Sequence, residues 1–274
     1  MKKNTTITPK IPVHIVDQEL LQPLNPVMVN LIGAGGTGSH VLTGLMRLSF
    51  MLNELGHPGL HVRLFDDDII EHNNRLRMLF NDTEVGLHKS VVLINRINRA
   101  FGLNWKAVTE KFDNLLIKEL PEMAMAAITI TAVDSVNARF EIAAILGMVH
   151  KYASYSRNKP RYWLDFGNSS DSGQVILSTI GEIKQPESEK YETRSVLRMV
   201  TDEFPELLKA GEEKDAGHNC STASALEEQD LFINASLAYP GVEILNRMFR
   251  EGMVFDRGFF YNLKAHRMQP LKVA

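Results

Sequence analysis

Four glycines within six residues, Gly33-x-Gly35-Gly36-x-Gly38, separate an apolar run, Val27–Ile32, from a stretch with helical spacing over residues 40–52. A buried strand that turns at once into a helix leaves little room for other readings. It fits the first unit of a parallel α/β sheet. The rest of the chain keeps that rhythm. Residues 61–65 read as a second strand, ending in Asp66-Asp67-Asp68. Residues 89–100 carry Val91, Val92, Ile94 and Ile97 at helical spacing. Ala126, Ile128 and Ile130 alternate in a strand that ends near Asp134, and a helix is expected over 137–152. Residues 162–164 and 175–177 are strands around a loop of Gly, Ser, Asn and Asp.

The expected fold is therefore α/β: a Rossmann-like three-layer arrangement with a mostly parallel central sheet and an antiparallel edge. Residues 1–26 carry four prolines and read as an N-terminal arm, with a short apolar piece at 14–16 and a short helix near 18–21. Residues 27–180 carry the alternation of strands and helices and read as the core of the domain. Residues 181–223 form a crossover segment, acidic and without strand character, punctuated by Pro186, Pro205, Gly211 and Gly217. Residues 224–274 supply a helix to about 250 and two short edge strands over 255–273, completing the same domain. Ser224 and Glu227 have the spacing of a capping box for that helix.

Composition narrows the function classes. Lys+Arg 30 against Asp+Glu 33 gives a net charge of -3, so there is no basic excess to neutralise a nucleic-acid backbone. One cysteine, Cys220, permits no intrachain disulfide and no cysteine-cage zinc site. The longest nearly apolar stretch, 123–133, falls short of the ~20 residues that span a bilayer. No apolar run succeeds the basic start, so no signal peptide is expected and the location is expected to be cytoplasmic.

Glycines at a strand-to-helix turn allow a close approach to an anion, and the N–H groups of the following helix attract phosphate. The loop alone leaves NAD, FAD and ATP open. In dinucleotide-binding folds an acid at the next strand end receives the ribose hydroxyls; Asp66, 28 residues past Gly38, stands at such a position.

The residues beyond this strand end are more specific. Asp66-x-Asp68-x-Ile70-x-x-x-Asn74-x-x-Arg77 precedes Val85-Gly86-x-x-Lys89, then Asp134-x-x-x-x-Arg139, Asp165-x-Gly167 and Gly173-Gln174-Val175. This series, over about residues 27–177, resembles the ThiF/MoeB superfamily of ubiquitin-like-protein activating enzymes. The stretches 55–60, 229–234 and 262–264 resemble the ThiF-family subgroup of PRTRC plasmid systems. The resemblance implies adenylation of the C-terminal carboxylate of a ubiquitin-like carrier with a flexible tail, using ATP and Mg2+. It also implies a homodimer and a place for a conjugating enzyme, with neither membrane nor nucleic acid as partner. On this likeness Gly33, Gly35, Gly36, Gly38 and Ser39 cradle the nucleotide, and Asp66 with Asp68 lies at its ribose side. Asn74, Arg77 and Lys89 grip the phosphates, and Asp134 holds the metal. Each has an ordinary role open to it as well: Lys89 on a solvated face, Asn74 in a turn, Asp134 as a helix N-cap.

Two departures stand out. The superfamily often sends an arginine from the N-terminal arm into a partner's site, yet residues 1–46 contain none; Lys10 or Arg75 could substitute. Its structural zinc cannot form with one cysteine. Cys220, two residues after His218, stands where relatives carry a thioester cysteine; a buried structural thiol is the equal alternative. A non-catalytic scaffold of the same fold, or an NAD- or FAD-dependent oxidoreductase, remain the competing functions. The oxidoreductase gives Arg77, Lys89 and Asp134 no task.

Overall fold

A computed structural model describes residues 10–72, 74, 78, 80–153, 156–209 and 230–274. Strand β1 (Ile11–Ile15) and the short helix α1 (Gln18–Leu21) lead into β2 (Val27–Ile32) and α2 (Gly36–Glu54). Then come β3 (Leu60–Phe65), α3 (Lys89–Phe101), β4 (Lys106–Val108), α4 (Asn114–Glu119), β5 (Ile128–Thr131) and α5 (Val136–Tyr152). The hairpin β6 (Tyr162–Asn168) and β7 (Ser172–Thr179) precedes β8 (Tyr191–Thr193) and α6 (Val200–Glu203). The chain closes with α7 (Ile233–Glu251), β9 (Met253–Val254), β10 (Asp256–Asn262) and β11 (Arg267–Lys272).

The large sheet runs β11-β10-β7-β6-β5-β2-β3-β4. From β6 to β4 every pairing is parallel; β7, β10 and β11 add an antiparallel edge. This is the α/β architecture expected from the alternating pattern.

Alternate side chains of the strands enter two cores, as the twofold pleat requires. Tyr162, Leu164 and Phe166 of β6 face one core, with Val29, Leu31, Val62 and Leu64. That core is covered by α2, α3 and α7 through Val41, Leu45, Val92, Ile97, Leu237 and Leu245. Trp163 and Ile176 face the other, against Ile142, Ile145 and Leu146 of α5 and Val200 of α6. The sheet is thus the middle of three layers. None of the described helices is long and apolar enough to cross a membrane.

Several local features differ from the sequence expectation. Helix α2 begins at Gly36, not at 40, and the Ser39 N–H already donates to the Gly35 carbonyl at 3.0 Å. Glycines are poor helix formers, so the periodic signal starts late; the tertiary setting carries the helix back into the glycine loop. Residues 11–15, placed in the arm by sequence, form the middle strand of a second sheet, β8-β1-β9. Strand β8 lies inside the crossover segment that showed no strand character; three residues give no readable period, and β1 supplies the pairing from far away in sequence. Gln185 ties the same segment down. Its Oε1 accepts the Ile15 N–H and its Nε2 donates to the Ile15 carbonyl, at 2.8 and 2.9 Å. Elements β4 and α4 lay outside the sequence reading because both are short.

Candidate active site

Strand β2 lies between β3 and β5. The chain moves outward from β2 through β3 to β4, then returns to β5 on the other side. In open parallel sheets ligands settle in the crevice beyond the carboxyl ends of the strands where the order reverses. Here that crevice lies between the ends of β2 and β5. The glycine loop leaves one strand there and Asp134 comes after the other.

The loop's own packing requires most of its glycines. Gly33 sits at φ +99, and a Cβ there would stand 2.5 Å from the Ala132 carbonyl oxygen. A Cβ on Gly38 would collide with the Gly33 carbonyl. At Gly36 the obstacle is Asn234, whose Nδ2 would be 2.6 Å away. Only Gly35 faces space, with the Met78 methyl at 3.8 Å as its nearest neighbour. The Ser39 hydroxyl donates back to the Gly36 carbonyl at 2.8 Å.

Asp66 closes the other wall. Its Oδ2 accepts the Ala34 N–H at 2.6 Å and its Oδ1 accepts the Asp68 N–H at 3.2 Å. Its backbone carbonyl accepts the Ser90 hydroxyl at 3.1 Å. One residue therefore joins the loop ahead of α2 to the first turn of α3, and the positive ends of both helices converge on it. Burial pushes the Asp66 carboxyl above its usual range, opposed by the Ala34 N–H and the charge of Lys89.

Lys89 is the first residue of α3. Its ammonium lies 2.6 Å from Asp68 Oδ2, and its stem is buried while Asp68 stays largely exposed. The Lys89 N–H also donates to the Asp68 carbonyl at 3.1 Å. A cation at the positive end of a helix is unfavourable by itself, and a site for anions relieves it. Asn74 is buried, and its Oδ1 accepts the Glu71 N–H at 2.9 Å, holding the turn beyond Asp68.

Asp134 is exposed beyond β5. It is not the cap of α5: Ser135 takes that role, accepting the Ala138 N–H at 3.3 Å. Among the described residues no cluster of three or more His, Cys, Asp or Glu could hold a metal ion. A lone hard-oxygen ligand still suits Mg2+, which commonly combines one or two carboxylates with phosphate oxygens and water. Arg77, His218 and Cys220 lie outside the described residues, as do Arg75 and the capping pair Ser224 and Glu227.

The structure therefore bonds Asp66 to the glycine loop, joins Asp68 to Asp66 and Lys89 to Asp68, and puts Asp134 three residues past the end of β5. It also adds groups to which the sequence assigned no role. Asn234, in the first turn of α7, accepts the Thr37 hydroxyl at 2.7 Å and the Asn168 amide at 3.3 Å. Nothing in local sequence signals a partner 197 positions away. Arg139 and Asp165, which the sequence presents only as motif residues, form a buried ion pair at 3.1 Å. The spacing Asp134-x-x-x-x-Arg139 is the one clue that could have linked them to the site.

No curated protein matches the chain. Among solved structures it is similar to PaaA, with 16% identity over 94% of this chain and 75% of that one, at a TM-score of 0.59. It is also similar to E. coli MccB with ATP (15% identity, 94% and 66% coverage, TM-score 0.56) and to MccB with MccA-N7isoASN (the same four values). The chain spans about two thirds of the length of MccB, and at these identities the likeness is one of fold. The ThiF family model matches residues 8–163, more than half of the chain, taking in the glycine loop, Asp66, Lys89 and Asp134; this chain belongs to the ThiF family.

Proposed function

We propose that this protein is an ATP-dependent adenylating enzyme acting on the C-terminal carboxylate of a polypeptide. The observation that carries the reading is Asp66, whose carboxylate is bonded to the glycine loop and whose carbonyl is bonded to α3, one residue after Lys89. Membership of the ThiF family supports it. So do the solved relatives MccB with ATP and MccB with MccA-N7isoASN, one holding a nucleotide and the other a form of MccA.

In this reaction a carboxylate oxygen attacks the α-phosphorus of ATP. A carboxyl–phosphorus bond forms, the α–β phosphoanhydride breaks, and pyrophosphate leaves with the electron pair. The protein has little covalent chemistry to perform. It aligns nucleophile and leaving group and offsets phosphate charge. Asp66 accepts the ribose hydroxyls. The amides of Gly35 and the start of α2 face the phosphates, with Ser39 and Asp68 at the margin of the same pocket. Lys89 supplies a point charge and Arg77 a planar fork, and Asn74 keeps the intervening turn in place. Asp134 would hold Mg2+ with nucleotide oxygens and water, and the ion would neutralise the leaving pyrophosphate.

The finer assignments rest on the superfamily resemblance. They comprise a ubiquitin-like carrier with a flexible tail, thioester transfer to Cys220, a homodimer, a conjugating enzyme downstream and the PRTRC subgroup. In this reading residues 27–180 are the adenylation core and 181–223 the clamp over the carrier's tail. Residues 224–274 complete the domain.

ATP–pyrophosphate exchange with a candidate carrier ending in glycine tests the reaction. Label should enter ATP only when the carrier is present. ATP binding without exchange would leave a scaffold, and NAD binding without ATP binding would leave an oxidoreductase. A carrier adduct on non-reducing gels that disappears in Cys220→Ala tests the thioester.

A further inference from the structure

Arg139 stands in the first turn of α5, buried, and reaches back across the carboxyl ends of β5 and β6. Its Nε donates to Asp165 Oδ1 at 3.1 Å. One terminal nitrogen donates to the Val133 carbonyl at 2.5 Å and to the Phe166 carbonyl at 3.0 Å. Asp165 Oδ1 also accepts the Thr131 hydroxyl at 2.5 Å, and that hydroxyl accepts the Trp163 indole N–H at 2.8 Å. A continuous buried chain thus runs from Trp163 through Thr131, Asp165 and Arg139 to the peptide immediately before Asp134. Asp165 Oδ2 has no partner among the described residues, so this carboxylate depends on Arg139 and Thr131 for what satisfaction it has.

The Asp134 side chain is exposed. An exposed acid gains no fixed position from packing around it, so its carboxylate is only as well placed as its backbone. The Val133 peptide is that backbone, and the guanidinium fork is what fixes it to β6. We infer that Arg139, oriented by Asp165, is a positioning residue that sets the location of Asp134 at the mouth of the crevice. The inference rests on the proposed role of Asp134 in adenylation.

The fork matters more than the charge. A lysine at 139 carries a single nitrogen, which cannot stand both where the arginine Nε meets Asp165 and where its terminal nitrogen meets the two carbonyls. Arg139→Lys therefore separates the two roles. In the full chain it should keep a cooperative thermal transition. The amides of residues 133–136 should exchange with deuterium faster in the nucleotide-free protein, while those of β2 and β3 stay unchanged. In ATP–pyrophosphate exchange kcat should fall on the order of a hundredfold, the cost of a displacement of about 1 Å in an aligned site. KM for ATP should move little, because the glycine loop and Asp66 are untouched.

Should Arg139→Lys fail to fold, the pair Arg139→Gln with Asp165→Asn removes both charges together and is read in the same two assays. Unchanged amide exchange over 133–136, or an unaltered kcat, overturns the inference. The parent reading fails separately: full activity in Asp134→Ala removes Asp134 from the reaction, and this positioning role with it. An inactive Asp134→Ala beside a fully active Arg139→Lys sinks the positioning role alone.

Discussion

The ammonium of Lys89 and the carboxylate of Asp68 lie 2.6 Å apart, with the lysine stem buried and the aspartate largely in solvent. A lysine that is to meet a phosphate must exchange this partner for it. Asp68 then acts as a competitor, and Asp68→Asn is expected to tighten ATP binding. Lys89→Ala should weaken it by roughly ten- to a hundredfold, the equivalent of one charged hydrogen bond of about 1.5–3 kcal/mol. Thermal stability should change little in Asp68→Asn, since a pair with one solvated partner contributes little. ATP titration of both variants checks this. Weaker binding in Asp68→Asn would show that the aspartate presents the lysine instead of occupying it.

Gly36 and Asn234 offer a suppressor test. A methyl group on residue 36 would come within 2.6 Å of Asn234 Nδ2. Gly36→Ala should lower stability by about 1–3 kcal/mol, as overpacked sites do. Shortening Asn234 in the same chain makes room, so Gly36→Ala with Asn234→Ala should recover part of both the melting temperature and ATP affinity. A double variant worse than either single one would mean that residue 36 must be glycine for the ligand's sake.

Burial holds Asp66 above the ordinary carboxylate value of 3.8. Linkage gives the sign for stability. The folded state prefers the protonated form, so this group favours folding as pH falls through its raised pKa and disfavours folding at neutral pH. Asp66→Asn, which keeps one acceptor oxygen for two N–H groups, should bind ATP more weakly and should lose the gain in stability that the parent protein shows as pH falls through the raised value. In the parent protein KM for ATP should rise on acidification with a break above pH 3.8, and Asp66→Asn should lack that break.

His14 acts with the opposite sign. It is fully buried, its Nδ1 2.7 Å from the Arg194 carbonyl and its Nε2 2.9 Å from the Tyr162 hydroxyl. Burial lowers its pKa below 6.5 and raises that of the Tyr162 hydroxyl above its ordinary range. The Asp17 N–H donates to the same tyrosine oxygen, so the tyrosine proton points to Nε2 and the neutral imidazole completes the network. The unfolded chain takes up a proton at 6.5 and the folded chain only at lower pH. Stability should fall as pH drops from 6.5 toward that lowered value. His40, His61 and His150, also lowered by burial, add to the same slope. Melting curves across this range should show a shallower dependence in His14→Gln. An unaltered slope would assign the effect to the other three.

Asp134 and Ser135 are neighbours with separable tasks. Asp134→Ala should abolish pyrophosphate exchange and leave melting unchanged, because the side chain is exposed and does not cap α5. Ser135→Ala should do the reverse, costing about 1 kcal/mol of stability as a lost N-cap while exchange persists. Measured side by side, the two variants tell a site residue from a structural one.

The parts of this molecule that could be read from the chain are those where neighbours in sequence carry the signal. The apolar run at 27–32, the glycine loop and the strand-end acid at 66 each come from local steric and hydrophobic rules. They yielded the parallel sheet and the turn that leaves its first strand. Strand β8 and the start of α2 were missed where the local signal was absent or masked by glycine. The Asn234–Thr37 bond and the Gln185 clasp on Ile15 link segments 197 and 170 positions apart, which no window of sequence reaches.

By itself, then, the sequence determined the α/β layering, the loop at the first strand end and the chemical types available to the crevice. It did so because period and turn chemistry are properties of short stretches. Tertiary structure alone decided that Lys89 rests on Asp68, that Gly36 yields to Asn234 and that Arg139 fastens the peptide ahead of Asp134. Those choices depend on which side chains meet once the sheet has brought distant strand ends to one edge.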